Sequence, residues 1–368
     1  MGAMLPVNKK VVKKFLKRVA FFVLLPLLVA GIAEAFILPP NFFTYRTWEA
    51  IIYKNPIPHT GNFYPDMHIN MNEQGDLAFR TSHAIIKKNV QWDTDKLGYR
   101  NDEFIEEADV LLIGDSFVAG IALSQDETIA KKLNMLLGKK VKVYNMAPCT
   151  LGEFNFLYKQ GIVKKPKLII YSAVERILPS LLTVADEEKS ASRRYYRKVS
   201  SKLVFSKMLP VVDRFFAFNF LKWATGNANQ TRIGHQSPFN SSLFFMQGNT
   251  VKHYTLKDAE NTAATISSYN DYCQKEGIKF LFMPMPNKET IYYSLVPLQS
   301  QPQFLFQLDS LLNKAGIPAI NTLSLYNSHG TADGLLYKPD DTHWNEKGVG
   351  LVAEEVVKHR LLKELAVK

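Results

Sequence analysis

With 368 residues, 46% of them hydrophobic, the chain can bury a large core and still carry extensions, which excludes a wholly disordered protein. Forty-five Lys and Arg against 34 Asp and Glu leave a net charge of +11, a surplus suited to lipid head groups or acidic polymers. Two cysteines, Cys149 and Cys273, are too few for a disulfide framework and have no C-x-x-C spacing, so both are expected as core thiols.

The chain opens on Lys9, Lys10, Lys13, Lys14, Lys17 and Arg18, followed by an apolar run from Val19 to Leu38 broken only by Pro26 and Glu34. That run has the length needed to cross a bilayer core, and the cationic block before it belongs on the cytoplasmic side. Residues 1–40 are therefore expected to form a basic tail and an uncleaved single-pass anchor in the cytoplasmic membrane. Everything after Pro40 would lie outside the cytoplasm, periplasmic or extracellular. The small residues of AGIAEA keep a cleaved signal peptide open as the alternative.

Residues 41–107 are aromatic and turn-rich, with PIPHTGNFYPD and QWDTDKLGYRND as irregular stretches, and are expected as an extension packed on the main domain. From residue 108 the pattern changes. ADVLLIGDS has the profile of a buried parallel strand ending in a loop that carries Ser116. Ser124 and Glu127 make a capping box, after which Ile129, Leu133, Leu136 and Leu137 recur at helical spacing. VKVYNM is then expected as a strand, Glu153 to Val163 as a helix and KLIIYS as a strand. Apolar strands alternating with helices imply a parallel sheet covered on both faces, an α/β fold.

Residues 181–255 interrupt the alternation and are expected as an insertion within 108–368. There Arg193, Arg194, Tyr195, Tyr196, Arg197, Phe215, Phe216 and Trp223 mix cations with aromatics, a composition that suits sugar binding, packing on the domain or a membrane surface. The alternation resumes with a helix at 257–275, a strand IKFLFMP, helices around 288–314, a strand IPAINT and a last helix from Asn345 to about Leu362.

The chemistry concentrates at two strings. Ser116 follows a strand, and in open α/β sheets ligands bind beyond the carboxyl ends of strands. A serine hydroxyl needs a base to take its proton, and that base needs a carboxylate to fix its tautomer. Asp340-Asp341-Thr342-His343 supplies both, with His343 the candidate base and Asp341 favoured over Asp340 as its partner. A metal role for Asp341 with His343 lacks a third His-rich string, so neither metal nor cofactor is expected, and no nucleic-acid partner.

GDSFVAG resembles the first block of the SGNH (GDSL-type) hydrolase superfamily, and DDTHWNEKG resembles its last. The resemblance implies a flavodoxin-like three-layer sandwich over 108–368, with Ser116 as nucleophile and its backbone amide in an oxyanion hole. The family's second-block glycine corresponds to Gly152. Its Gly-x-Asn-Asp block is missing; after KLIIYS comes Ala173-Val174-Glu175-Arg176. Arg176 is thus a candidate replacement donor, with a structural Glu175–Arg176 ion pair as the alternative, and Asp115 beside Ser116 is a candidate substrate-binding group. The Glu-Arg pair, PMPNKETIYYSLVP and DTHWN are also similar to the SGNH-like domains of the alginate O-acetyltransferase group. In some of those proteins the Asp-His string precedes the serine, whereas here it follows. This second likeness implies O-acetyl transfer to an exopolysaccharide acceptor, with the acyl donor delivered by a membrane-embedded acyltransferase. An esterase and a non-catalytic glycan-binding subunit are the alternatives.

Overall fold

The computed structural model describes residues 9–55, 60–78, 86–138, 140–189, 195, 198–199, 207–221, 234–329 and 334–366. Arg193, Arg194, Tyr196, Arg197 and Trp223 fall outside the described residues.

The first element is a continuous helix, Lys9–Ile37, whose 29 residues make it long and apolar enough to cross a membrane. Its π-helical turns at Ala20–Leu24 and Ala33–Ile37 leave the helix unbroken past Pro26.

Next come two antiparallel strands, β1 (His68–Glu73) and β2 (Lys88–Asp93), in register from His68 opposite Asp93 to Glu73 opposite Lys88. They bury Trp92, over which the Arg100 guanidinium lies 3.7 Å from the ring centroid. Arg100 is itself buried and donates to the carbonyls of Gly120 and Leu123, fastening the 41–107 stretch to the loop that follows Ser116. Residues of this stretch and of the remaining chain share one hydrophobic core.

The centre of that core is a four-stranded parallel sheet. Its strands are β3 (Val110–Gly114), β4 (Val143–Asn145), β5 (Leu168–Val174) and, after a two-residue ribbon of β6 (His235–Gln236) and β7 (Phe244–Phe245), β8 (Lys279–Met285). The order across the sheet is β4-β3-β5-β8. Every residue of β3 and β5 is buried, as expected of apolar strands covered on both faces. A single parallel bridge from Phe282 to Ala319 continues the order where IPAINT was expected as a full strand. With that bridge in fifth place, the arrangement is the doubly wound order whose switch point lies between β3 and β5. Helices Ile129–Leu136 and Glu346–Lys358 pack on each other, as do Leu256–Lys275 and Phe304–Lys314, giving the covering layers.

Other local expectations shift as well; the helix expected from Glu153 to Val163 runs Leu151–Lys159. The Ser124–Glu127 capping box closes a short 3-10 turn, and Thr128 caps the α-helix that starts at Ile129. Ile129, Leu133 and Leu137, spaced at i, i+4 and i+8, form the buried stripe, and the exposed Leu136 falls to its side. The last helix stops at Lys358, and Arg360–Ala366 forms a separate one beyond His359.

Candidate active site

β3 ends at Gly114, and the chain turns through Asp115 and Ser116 into the coil Phe117–Leu123. Asp115 shapes that turn with both carboxylate oxygens. Oδ1 accepts the Phe117 amide at 2.9 Å and Oδ2 accepts the Val174 amide from the end of β5 at 2.7 Å. Each oxygen thus accepts one backbone amide, tying the ends of β3 and β5 together across the switch point. Burial pushes its carboxyl upward in pKa, opposed by those two amides and by the charges of Arg176 and His343.

Ser116 is half-buried, and its Oγ lies 2.8 Å from His343 Nε2. The other ring nitrogen, Nδ1, lies 2.6 Å from Asp341 Oδ1, which also accepts the His343 amide at 2.9 Å. Asp341 is buried; burial opposes its charge, but His343 and the amides of His343 and Asp76 outweigh this and hold its carboxyl below the usual range. The imidazole packs against the Phe117 ring at 4.9 Å between centroids, fixing its plane. Serine, histidine and aspartate thus form one hydrogen-bonded chain of the kind that activates a hydroxyl.

Asp340 does not join it. Its Oδ2 accepts the Gly75 amide at 3.1 Å, and its carbonyl accepts the amides of Leu77 and Ala78. Gly75 is required there, since a Cβ would lie 2.1 Å from the Asp340 carbonyl oxygen.

The loop carrying Asp341 and His343 is held by two groups that sequence reasoning missed. From the 41–107 stretch, Asp76 takes the Thr342 amide at 2.7 Å and the Thr342 hydroxyl at 2.6 Å, and gives its own amide to Asp341 Oδ2 at 2.9 Å. From the opposite side Lys288, 1% exposed, donates its ammonium to the carbonyls of Lys338 and Pro339 at 2.7 Å and of Asp341 at 3.1 Å. Burial pulls its pKa down to about 8 against the pull of Glu289, Asp341, Asp76 and Asp340. Asp76, Asp341 and His343 each bring one donor atom within 4.8 Å of the others, a spacing open to a metal ion. Each of those atoms is nonetheless engaged in the hydrogen bonds just given, apart from the lone-pair capacity that remains on the carboxylates.

Arg176 leaves the end of β5 and lies over Phe117, its guanidinium carbon 5.7 Å from the ring centroid, with Nη1 3.3 Å from Asn287 Oδ1. It does not pair with Glu175 in any ion pair among the described residues; Glu175 instead accepts the Asn287 amide at 2.9 Å and the Thr290 hydroxyl at 2.6 Å. Burial raises the Glu175 carboxyl to about 7 despite those bonds. Gly152 lies buried in the first turn of helix Leu151–Lys159, which the Cys149–Gly114 bridge brings to the end of β3, but no hydrogen bond joins it to Ser116 among the described residues. The Ser116 amide likewise has no acceptor among them, as an oxyanion donor requires.

The signals for the missed residues were weak. Asp76 sits in an irregular stretch 265 positions before Asp341, and Lys288 stands in the NKET wording that suggested a family but gave no hint of burial.

Comparison with known proteins adds one positive finding. Residues 243–366 match the family model of the SGNH hydrolase-like domain of the acetyltransferase AlgX. The match takes in Asp340, Asp341 and His343 but stops short of Ser116. No curated protein matches the chain. Among solved structures, one crystal structure is similar over 68% of this chain and 95% of its own, at 10% identity and a TM-score of 0.32, too slight a likeness to bear on fold or function.

Proposed function

We propose that the chain is a membrane-anchored O-acyltransferase, working outside the cytoplasm, that moves acetyl groups onto a cell-envelope polysaccharide through an acyl-Ser116 intermediate. The observation that carries the proposal is the unbroken hydrogen-bond path from Asp341 through His343 to Ser116, at 2.6 and 2.8 Å. The match of 243–366 to an acetyltransferase domain supports acetyl and polysaccharide as the group and the acceptor class.

Ser116 Oγ attacks the carbonyl carbon of an acetyl donor while His343 Nε2 takes the hydroxyl proton, and the tetrahedral oxyanion meets the Ser116 amide. The donor's leaving oxygen departs with the proton from Nε2, leaving acetyl-Ser116. A sugar hydroxyl then gives its proton to Nε2 and attacks the acetyl carbon, and the same proton returns to Ser116 Oγ. Asp341 holds the imidazole in the tautomer with hydrogen on Nδ1 and stabilises its cation. Arg176 supplies positive charge beside Phe117, in the place where the family's side-chain amide is missing.

Water in place of the sugar hydroxyl makes the same site an esterase, which is the second reading, favoured by the partial exposure of Ser116. Turnover of a chromogenic acetyl ester by the full chain, with Ser116→Ala and His343→Ala as controls, tests the shared chemistry. Near-normal activity in either variant refutes the assignment of that residue.

A further inference from the structure

The apolar anchor contains a carboxylate, Glu34, and an isolated carboxylate in hydrocarbon is costly enough that it must find partners. It finds them in the insertion. Glu34 is 4% exposed, and its two oxygens accept the amides of Asn219 at 3.1 Å and Phe220 at 2.7 Å. These amides follow the helix Met208–Ala217, which ends on Phe218 in the left-handed conformation, φ 45°. One turn earlier the two helices touch at Gly31, where a Cβ would lie 3.0 Å from the Phe215 carbonyl oxygen and 3.1 Å from its ring. Arg214 closes the contact by donating to the Leu38 carbonyl, where the anchor helix has just ended.

Depth follows from counting residues. Gly31 lies about 18 Å beyond Val19 at 1.5 Å per residue, past the middle of a hydrocarbon core about 30 Å thick. If Lys9–Ile37 spans with its basic end inside, a helix packed on Gly31 and Glu34 lies at the depth of the outer leaflet. The face that helix turns away from the protein is apolar: Met208, Val212 and Phe216, spaced at i, i+4 and i+8, are 63%, 38% and 53% exposed, and Leu221 follows at 42%. A flank of the same helix, turned to the protein, carries Asp213, fully buried, which accepts the amides of Lys54 at 2.9 Å and Asn55 at 2.8 Å and the Tyr64 hydroxyl at 2.7 Å.

We infer that Met208–Leu221 is a second membrane element, lying in the outer leaflet with Met208, Val212, Phe216 and Leu221 against lipid, clamped to the anchor by Glu34. The continuity of this apolar face with the spanning helix singles out lipid as its occupant. Asp213 then transmits the anchor's position to the 41–107 stretch, and Asn62 of that stretch donates to the Pro148 carbonyl at 2.6 Å, at the end of the sheet where Ser116 lies. The site is thereby held at a fixed height and tilt over the membrane instead of swinging on a tether. The proposal rests on the reading of Lys9–Ile37 as a span.

The test uses the full chain, one copy per phospholipid nanodisc, with a single cysteine added and labelled with an environment-sensitive fluorophore. Cys149 and Cys273 are buried, and unsubstituted protein gives the background. Lipids carrying a nitroxide on the acyl chain then quench any label that lies among them. Val29→Cys reports the span, Phe216→Cys and Val212→Cys report the insertion helix, and Lys257→Cys reports the exposed face of a domain helix. Loss of most emission at Val29, Phe216 and Val212, with none at Lys257, is the expected result. Quenching at Val29 with Phe216 and Val212 as bright as Lys257 overturns the inference and leaves the anchor standing. An unquenched Val29 refutes the span itself, and with quenching retained at Phe216 and Val212 only a peripheral contact survives.

Discussion

Asp76 and Thr342, 266 positions apart, are joined by two hydrogen bonds of 2.7 and 2.6 Å, so the 41–107 stretch directly holds the loop that bears His343. Asp76 is also a second carboxylate beside the imidazole, its Oδ2 3.9 Å from Nδ1. Burial, followed by the charge of Asp341, pushes the Asp76 carboxyl upward in pKa, whereas Asp341 is held low. The three neighbouring acids are therefore expected to be unequal. Asp341→Asn lowers kcat by about 10³- to 10⁴-fold through the wrong imidazole tautomer. Asp76→Asn costs about tenfold through a misplaced loop, worth one or two hydrogen bonds. Asp340→Asn costs least, because its side chain serves Gly75 and not the ring. Steady-state kinetics of the three variants check the order, and an Asp340 effect as large as that of Asp341 contradicts it.

Lys288 is the counterpart of Asp76 on the other side of the loop. Lys288→Met removes three hydrogen bonds and leaves the Asp341 carbonyl without a donor among the described residues, while Pro339 keeps the Phe244 amide and Lys338 the Asp341 amide; it is expected to destabilise the fold by about 2 kcal/mol, read from urea unfolding. In the wild type the ammonium loses its proton as pH rises through about 8, so kcat should fall on the alkaline side of that value. The Met variant, if it retains measurable activity, should lack that limb. A wild-type profile flat from pH 7 to well above 8 would remove the role assigned to the lysine charge.

Glu175 gives a stability signature that needs no substrate. Its carboxyl is raised to about 7 from the model-peptide value of 4.5, so the folded state binds its proton more tightly than the unfolded state does. Such a group contributes stability that is complete below pH 4.5 and lost as pH climbs through about 7. Glu175→Gln keeps an acceptor for Asn287 and Thr290 without the charge. The variant should match the wild type near pH 4 and exceed it by about 3 kcal/mol near pH 8. Unfolding curves that stay parallel across this range would show that burial does not perturb Glu175.

Membrane topology is tested separately from the lipid contact of the insertion. Alkaline phosphatase fused after Thr60 should be active, and alkaline carbonate should leave the full chain in the membrane fraction. Cleavage at AGIAEA would remove Gly31 from its contact with Phe215, so release by the wash would contradict the built-in anchor as well as its retention.

The sheet was legible because VLLIG, VYN, LIIYSAV and KFLFMPM are apolar runs bounded by helical periodicity, a pattern set by burial on both faces. IPAINT has the same composition but only Ala319 pairs, since Pro318 has no amide to donate and the segment lies at the sheet edge. Ser116, His343 and their loops could be found because each string keeps its chemistry within a few residues. The choice between Asp340 and Asp341 could not be made from spacing, as both offsets reach an imidazole; it depends on Gly75, which takes up Asp340 from far away in sequence. Asp76, Lys288 and the Glu34 clamp were illegible for the same reason. Each is a lone polar residue whose meaning comes from a partner more than 40 positions distant.

Transfer through Ser116 is tested most directly by the mass of the acceptor. The full chain is incubated with an acetyl ester donor and the native glycan or a short oligosaccharide, and the sugar is analysed by mass spectrometry. A gain of one acetyl group on the sugar, absent with Ser116→Ala, is the predicted result, because a bound acceptor positions its hydroxyl and excludes water. Free acetate as the sole product with every acceptor, together with removal of acetyl from preacetylated glycan, would contradict transfer and make the chain an esterase.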